Sequence, residues 1–183
     1  MTQPVRGMVV LAGGEQVRIR PVRPDDAPLV AAGFEALDPA TRRLRFFSPM
    51  PRLSPALLRW MVEVDHRDHE ALVAEAVDGP DAGALVGVAR YVRLRADPAA
   101  AEVAVTVCQF RRRQGLGTAL LRALRLAALA HGIERFTGEV MGENRPALAW
   151  LAAGDATFDY SEPRTPAFTV PLRRHRQPDT AAS

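Results

Sequence analysis

Hydrophobic residues recur with two different periods along the 183-residue chain, and the changes between them outline its secondary structure. The alternation of apolar and polar residues from Val17 to Val22 predicts a strand. A helix is predicted at 24–37, with Pro24 and two acidic residues in its first turn, and Asp38-Pro39 ends it. Further helices are predicted at 40–47 and at 54–65, the last with Ser54 as N-cap and Pro55 at the first position. Strands are then predicted at 70–77, 84–95 and 101–108, followed by a helix at 116–131, a strand at 133–140, a helix at 144–153 and short strands at 156–160 and 167–172.

These elements fit one domain, because a chain of this length can bury one core of ordinary size and no linker divides it. We expect a flexible leader at 1–16, the folded domain at 17–172 and a disordered polar tail at 173–183. Strands and helices alternate most clearly between residues 101 and 153. This alternation predicts an α/β (α+β) fold with a mixed sheet covered by helices.

The composition is that of a globular protein, with 48% hydrophobic and 25% charged residues. No apolar run approaches the roughly 20 residues that cross a bilayer, and the N-terminus lacks the apolar stretch of a signal peptide. Cys108 is the only cysteine, so an internal disulfide and a cysteine-rich metal site are excluded. We therefore expect a cytoplasmic protein with no membrane partner.

All 24 basic residues are arginine, and the formal net charge is only +3. The basic run Arg111–Arg113 has no accompanying set of aromatic residues to stack on bases, so no nucleic-acid partner is expected. The absence of lysine excludes a phosphate-binding P-loop, in which lysine follows the last glycine. His66 and His69 stand in a predicted loop with no third ligand cluster nearby, so no metal site is expected.

The most informative segment is a glycine-bearing loop between the strand at 101–108 and the helix at 116–131. Gly115 and Gly117 let the backbone approach a ligand closely, and the free N–H groups of the first helical turn lie at the positive end of the helix dipole. This arrangement predicts an anion site suited to a pyrophosphate. A dinucleotide-binding fingerprint would need glycine or alanine at position 120, where Leu120 stands.

The spacing of Arg112, Gly115 and Gly117 gives R-x-x-G-x-G, which resembles the acetyl-CoA pyrophosphate loop of the GNAT superfamily of N-acetyltransferases. The resemblance implies the GNAT fold, a mixed and mostly antiparallel sheet of six to seven strands flanked by helices. It also implies that acetyl-CoA is the co-substrate. The residues that it assigns to acetyl-CoA binding lie in the loop and the strand before it: Val105, Val107, Arg112, Arg113, Gln114, Gly115, Leu116, Gly117 and Thr118.

GNAT proteins also place an asparagine at the start of the helix after the next strand, and Asn144 occupies that position with Ala147 in the same turn. The resemblance implies that both lie beside the pantetheine arm. As an isolated residue Asn144 would be read as an N-cap, and one side chain can do both. Many GNAT members carry a tyrosine seven residues after this asparagine as general acid; Leu151 stands there, so no general acid is assigned.

The first half of the chain narrows the resemblance to the catalytic domains of Pat-type protein lysine acetyltransferases. The segments at Ile19–Asp26, Leu44–Ser48 and Leu53–Pro55 are similar to that family. In the family, the strand before the pyrophosphate loop begins with Ala-Glu, and this glutamate is taken as the general base. The resemblance therefore implies that role for Glu102.

The chemistry of amine acetylation supports a carboxylate at this position. An amine is protonated at neutral pH and must lose a proton before it attacks a thioester, and a carboxylate can take that proton. Strand alternation puts Glu102 on one face with Thr106, opposite the valines of the same strand. The alternative is that Glu102 is only an exposed carboxylate at the end of a strand, with Glu70 as the reserve base.

The resemblance implies direct transfer of an acetyl group from acetyl-CoA to an amine, for which a protein lysine is the expected acceptor. Within the resemblance an AMP-forming acyl-CoA synthetase is a candidate partner, because acetylation of its catalytic lysine would switch off the supply of the donor. Two alternatives stay open: a small-molecule amine acetyltransferase and a non-catalytic acyl-CoA-binding sensor. A homodimer is also left open.

Overall fold

The computed structural model describes residues 7–172, which form one sheet with helices on both faces. The strands are β1 (Gly7–Val10), β2 (Gln16–Pro21), β3 (His69–Ala76), β4 (Leu85–Arg93), β5 (Ala100–Val107), β6 (Arg135–Glu139), β7 (Thr157–Asp159) and β8 (Ala167–Pro171). The helices are α1 (Ala27–Glu35), α2 (Pro39–Phe46), α3 (Pro55–Val62), α4 (Leu116–Ala130) and α5 (Arg145–Ala152).

The strands follow the order β1-β2-β3-β4-β5-β6-β8-β7 across the sheet. Every neighbouring pair is antiparallel except β5 and β6, which run parallel. Helix α4 makes the crossover between these two parallel strands, as a parallel pair requires. This confirms the predicted mixed and mostly antiparallel sheet flanked by helices. No helix in residues 7–172 is both long and apolar enough to cross a membrane.

The core has one main layer on each face of the sheet. On one face, Leu120 and Leu124 of α4 pack with Leu72 of β3 and Tyr91 of β4, and all four side chains are at most 1% exposed. On the other face, side chains of α1 and α3 pack against β3 in a second cluster that includes Val73. Strand β3 is thus covered on both faces, which explains why almost all of its residues are buried.

Side-chain caps determine where two of the helices begin. The Asp38 carboxylate accepts a hydrogen bond from the Thr41 N–H at 2.8 Å and starts α2. The Ser54 hydroxyl accepts one from the Leu57 N–H at 3.1 Å and starts α3. Each cap is followed by proline at the first helical position. This pattern predicted α3 at Ser54-Pro55, whereas Asp38-Pro39 was predicted only to end the preceding helix and also caps α2.

The structure corrects the strand count: residues 7–172 form an eight-stranded sheet, where six to seven strands were expected. Strand β1 lies within the segment 1–16 that was predicted to be a flexible leader, and β2 already begins at Gln16. A turn with Gly14 at φ 88° joins the two strands, and its N–H donates to the Leu11 carbonyl at 2.9 Å. Apolar Met8-Val9-Val10 shows no alternation, so the sequence carried no period-two signal there. The predicted disordered tail at 173–183 lies outside the described residues.

Candidate active site

The candidate site lies where the sheet opens between its two parallel strands. β5 and β6 pair at only three positions, the last of which joins Glu102 to Thr137. Strand β5 nevertheless continues to Val107, paired on its other side with β4. A cleft between β5 and β6 therefore begins just beyond Glu102, in the middle of the sheet.

The backbone of β5 is accessible along this cleft. Residues 102–107 are all partly or fully exposed, although the strand is central in the sheet. The Cys108 N–H donates to the Val86 carbonyl of β4 at 3.0 Å, and backbone groups of successive residues point to opposite sides of a strand. The N–H and carbonyl groups of Val105 and Val107 therefore point away from β4, into the cleft, where they can bond an amide-bearing ligand.

The loop after β5 presents a set of free backbone N–H groups. Within residues 7–172, none of the N–H groups from Arg113 to Thr118 donates a hydrogen bond, and the first bond of α4 runs from Ala119 to the Gly115 carbonyl at 3.0 Å. Arg113 at φ 60° and Gly115 at φ 88° curl this backbone. Free N–H groups in such a curl, at the positive end of a 15-residue helix, form an anion site.

The two glycines of the loop have different physical explanations. Gly115 has a positive φ, which disfavours any other residue. Gly117 does not, and a Cβ added there would meet only Val107 Cγ2, at 3.8 Å. Neither the backbone conformation nor the internal packing requires glycine at 117, so its small size points to a ligand that approaches closely.

Arginine side chains fix the loop to the rest of the domain. Arg111, only 4% exposed, forms ion pairs with Glu15 after β1 and with Asp81 between β3 and β4. Arg112 donates from Nη2 to the Thr41 hydroxyl of α2 at 2.5 Å. The loop is thereby connected to three separate segments. Arg112, which was predicted to bind acetyl-CoA, also has a structural contact with α2.

The other residues predicted in the loop differ in what they offer a ligand. The side chains of Arg113 and Thr118 are exposed. The Leu116 side chain is 1% exposed in the core, so only its backbone N–H can reach a ligand. The Gln114 amide donates from Nε2 to the Phe110 carbonyl at 3.1 Å, which holds the turn.

Helix α5 lies on the same side of the cleft as the start of α4. Asn144 caps α5, because its Oδ1 accepts a hydrogen bond from the Ala147 N–H at 3.3 Å. Trp150 Nε1 donates to the Thr118 hydroxyl at 3.1 Å and so joins α5 to the first turn of α4. Asn144 therefore acts as the N-cap that its sequence position predicted, and its contact with a pantetheine arm stays a prediction.

Glu102 lies on the opposite face of the sheet, the face that α1, α2 and α3 cover. The strand register puts His69, Val92 and Glu102 in one row across β3, β4 and β5, and Arg90 and Ala104 in the next row. Glu102 is exposed. Its carboxylate is therefore open to an acceptor that approaches from the helix-covered face, while the free N–H groups lie at the far end of the cleft.

Two arginines lie on the same face of the sheet as this carboxylate. Arg45 of α2 has its pKa lowered by burial, and the nearby charge of Glu102 partly opposes that shift. Arg90 is 4% exposed, donates to the Met61 carbonyl at 3.1 Å and bonds His69 Nε2 at 3.2 Å. Burial and the charge of Arg45 lower the pKa of Arg90 to about 10. Burial and the charge of Arg90 lower the pKa of His69 to about 4, so His69 is neutral and accepts from Arg90.

The structure does not place Glu70, the reserve base, on the face of the sheet that carries Glu102. Glu70 pairs with Tyr91, and Tyr91 pairs with Val103, so all three side chains point towards the α4 face. The Glu70 carboxylate is buried and bonded to His66 Nδ1 at 2.8 Å. It is a structural group that orders the turn before β3, separated from Glu102 by the sheet.

Sequence reasoning missed Arg90 and Trp150 and assigned no role to Arg45. Arg90 stands at a position of β4 whose neighbours on the same face, Val88 and Ala71, belong to the apolar layer. A single charged residue on the apolar face of a strand is the signal that could have identified it. For Trp150 and Arg45 no local signal exists, because their contacts come from distant segments.

These features suit an enzyme that moves an acyl group from a nucleotide-bearing donor. They are a cleft with free backbone groups, an anion-binding loop at its end and a carboxylate on the face of the sheet opposite α4. The sequence model of the Acetyltransferase (GNAT) family matches residues 34–154. The chain therefore belongs to the GNAT family and is an acetyltransferase; this family uses acetyl-CoA.

The chain is similar to Pat proteins among other members of this family. Acetyltransferase Pat of Mycolicibacterium smegmatis is 34% identical over 132 residues, which are 72% of this chain and 38% of that protein. Acetyltransferase PA5475 of Pseudomonas aeruginosa is 30% identical over 135 residues, 74% of this chain and 72% of that protein. The crystal structure of the GNAT domain of S. lividans PAT has 28% identity and a TM-score of 0.83, covering 91% of this chain and 97% of that one. The chain spans less than half the length of the M. smegmatis relative.

Proposed function

We propose that this acetyltransferase transfers the acetyl group of acetyl-CoA directly to a lysine of a folded protein, with Glu102 as the general base. The observation that carries the proposal is the opening of the sheet at Glu102. One strand, β5, offers backbone groups to the cleft and a carboxylate to the face covered by α1, α2 and α3. Donor and acceptor can therefore meet at this strand from different sides.

The loop fits the pyrophosphate of acetyl-CoA. Six consecutive residues with free N–H groups, from Arg113 to Thr118, can surround the two phosphates, and Gly117 leaves them room. The backbone of Val105 and Val107 would hold the pantetheine amides, with Asn144 and Ala147 at the opposite wall. The thioester supplies the activated acetyl group, and a backbone N–H of β5 would stabilise negative charge on its carbonyl oxygen.

Glu102 would remove the proton of the acceptor ammonium. A free lysine amine has a pKa near 10.4, so a base is needed at neutral pH. The carboxylate is exposed on the acceptor face and carries no salt bridge among residues 7–172, so it is free to accept a proton, directly or through one water. No side chain is assigned as the acid that protonates the thiolate.

A protein lysine is proposed as acceptor because the chain resembles Pat-type lysine acetyltransferases, and two of its relatives are named Pat. An AMP-forming acyl-CoA synthetase is the proposed partner, since acetylation of its catalytic lysine would limit production of the donor. The exposed front of this face, with Trp60 at 47% exposure, leaves room for a protein surface.

The test incubates the protein with acetyl-CoA and such a synthetase and identifies acetyl-lysine by mass spectrometry. Glu102→Gln should lower turnover by roughly 10²–10⁴ with unchanged acetyl-CoA affinity, and part of the loss should recover at high pH, where the amine deprotonates by itself. Glu35→Gln, which neutralises an exposed carboxylate on α1, is the matched control. Wild-type turnover by Glu102→Gln would refute the base.

The same preparation should be tested with a panel of small amines. Acetyl-lysine above the enzyme-free background supports the protein acceptor. If acetyl-lysine is absent and a polyamine, an aminoglycoside or an amino acid is rapidly acetylated, the protein is a small-molecule amine acetyltransferase. Tight acetyl-CoA binding without transfer to any acceptor would identify a sensor.

A further inference from the structure

The acceptor face contains a guanidinium that no residue of the described part of the chain pairs. Arg45 is half-buried and lines a cavity of about 60 Å³ between α1, α2, β4 and β5. Within residues 7–172 it forms neither a hydrogen bond nor an ion pair. Its guanidinium carbon lies 4.9 Å from the centre of the Phe46 ring, which is a cation–π contact.

The two arginines on this face differ in their partners. The hydrogen bonds of Arg90 are already directed to Met61 and His69. Among residues 7–172, Glu102 acts on Arg45 as a nearby charge and forms no salt bridge with it. Arg45 is therefore the arginine with donors to offer to an anion.

The surroundings of Arg45 favour a carboxylate as that anion. A guanidinium offers a planar fork of donors that matches the two oxygens of a carboxylate. Most of the cavity lining is apolar, including Val30, Phe34 and Met61, and Thr106 adds a hydroxyl. Such a cavity suits a short aliphatic segment that ends in a carboxylate, because the apolar wall packs against the segment while the fork binds its charge.

We propose that Arg45 binds a carboxylate of a substrate and makes the enzyme prefer substrates that carry one near the reacting group. The inference rests on the acetyltransferase function proposed above and deepens it by naming the chemistry that the site selects. Two sources have this chemistry. The carboxylate belongs either to the acceptor, beside its amine, or to the acyl group of a donor that ends in an acid.

The test uses substrate pairs that differ in one carboxylate. Lysine is compared with lysinamide, a capped Glu-Lys dipeptide amide with its Gln-Lys counterpart, and succinyl-CoA with butyryl-CoA as donors. The ratio of kcat/KM within each pair is measured for the wild type and for Arg45→Gln, Arg45→Lys and Arg59→Gln. Arg59 is an exposed arginine on α3, so its variant controls for the loss of one positive charge. Because each result is a ratio, an indirect effect of Arg45 on Glu102 cancels.

We expect the carboxylate member of one pair to be favoured roughly ten- to a hundred-fold by the wild type, as a charged hydrogen bond predicts. Arg45→Gln should bring that ratio close to one through a higher KM, Arg45→Lys should retain part of it, and Arg59→Gln should keep the wild-type ratio. A response in either acceptor pair assigns the carboxylate to the acceptor, and a response in the donor pair assigns it to the acyl group.

Ratios near one for the wild type in all three pairs would overturn the proposal, and so would a preference that survives in Arg45→Gln. Calorimetric titration with succinyl-CoA and butyryl-CoA, and with the two dipeptides already acetylated on lysine, gives the same comparison without turnover. If neither these acceptors nor the acyl-CoA synthetase is acetylated, the proposed function fails while this titration still decides the role of Arg45. Thermal unfolding of each variant verifies that it is folded.

Discussion

At the scale of single residues, the loop shows how a ligand requirement can be separated from a folding requirement. Gly115 is explained by its positive φ, Leu116 by its place in the core and Arg111 by its two ion pairs. Gly117 has no such explanation, because a Cβ there would find space. It is the residue at which binding and stability should respond differently to one substitution.

Gly117→Ala should lower acetyl-CoA affinity at least about ten-fold and leave the free energy of unfolding unchanged or raised by up to about 1 kcal/mol, because alanine favours a helix over glycine. Isothermal titration and urea unfolding measure the two effects. Gly7→Ala, on an edge strand with nothing within 4 Å of the added Cβ, is the control for both. Undiminished binding by Gly117→Ala would contradict the pyrophosphate assignment.

The local part of the site could be predicted from the sequence, because the loop motif and Glu102 lie within one continuous strand–loop–helix segment. Arg45, Arg90 and His69 could not be brought together in this way. They stand on α2, β4 and β3, and only the strand register and the packing of α2 decide that they share a face with Glu102. The sequence period indicates a face, but not which distant helix covers it.

At the scale of elements, the contact between β4 and α4 positions the loop. Gly87 of β4 lies below Leu120 of α4, and a Cβ on Gly87 would come within 2.9 Å of Leu120 Cδ1 and 3.4 Å of Leu116 Cδ2. Close approach of the helix to the sheet thus depends on a missing side chain. The first turn of α4, which carries the free N–H groups, is held by this contact.

A double-mutant cycle at this contact should show strong coupling. Gly87→Ala should destabilise the protein by about 1–3 kcal/mol through overpacking, and Leu120→Ala by about 2–5 kcal/mol through a cavity. In the Leu120→Ala background the added methyl should be tolerated, so the two losses should sum to more than the double variant loses. Urea unfolding of the four proteins gives the coupling energy. Additive losses would show that the helix and strand do not touch there.

The order and type of the elements from β2 to β8 were predictable because each strand or helix has its own period and its own end signals. The break at Asp38-Pro39, the cap at Ser54 and the glycine at the end of α4 are such signals. The first strand was missed because its three apolar residues have no alternation, although it forms a local hairpin with β2. Its Met8 and Val10 side chains remain 50% and 67% exposed. The strand therefore does not show the alternation of apolar and polar residues that a half-buried strand would have.

At the scale of the whole molecule, the sheet separates two chemical environments. One face carries α4, with the anion-binding loop at its end. The other carries, beside its own apolar cluster, a layer of arginine and histidine that includes the buried Arg90 and the half-buried His69. A hydrogen-bonded arginine and a neutral histidine stabilise that layer only while the histidine stays unprotonated. The acid stability of the whole fold should therefore depend on His69.

The free energy of unfolding should fall as the pH decreases from about 6.5 to 4, in part because of His69. The pKa of His69 is lowered to about 4 by burial and by the charge of Arg90, whereas an unfolded histidine titrates near 6.5. In that window the unfolded chain binds a proton that the folded chain does not, and below the window both forms are protonated, so this loss ends.

His69→Gln keeps an oxygen that can accept from Arg90 and removes the titration. Urea unfolding at about pH 7 and pH 4.5 should then show a smaller loss for His69→Gln than for the wild type, since the carboxylates affect both proteins equally. Equal losses in the two proteins would show that His69 is protonated in the folded state as readily as in the unfolded chain.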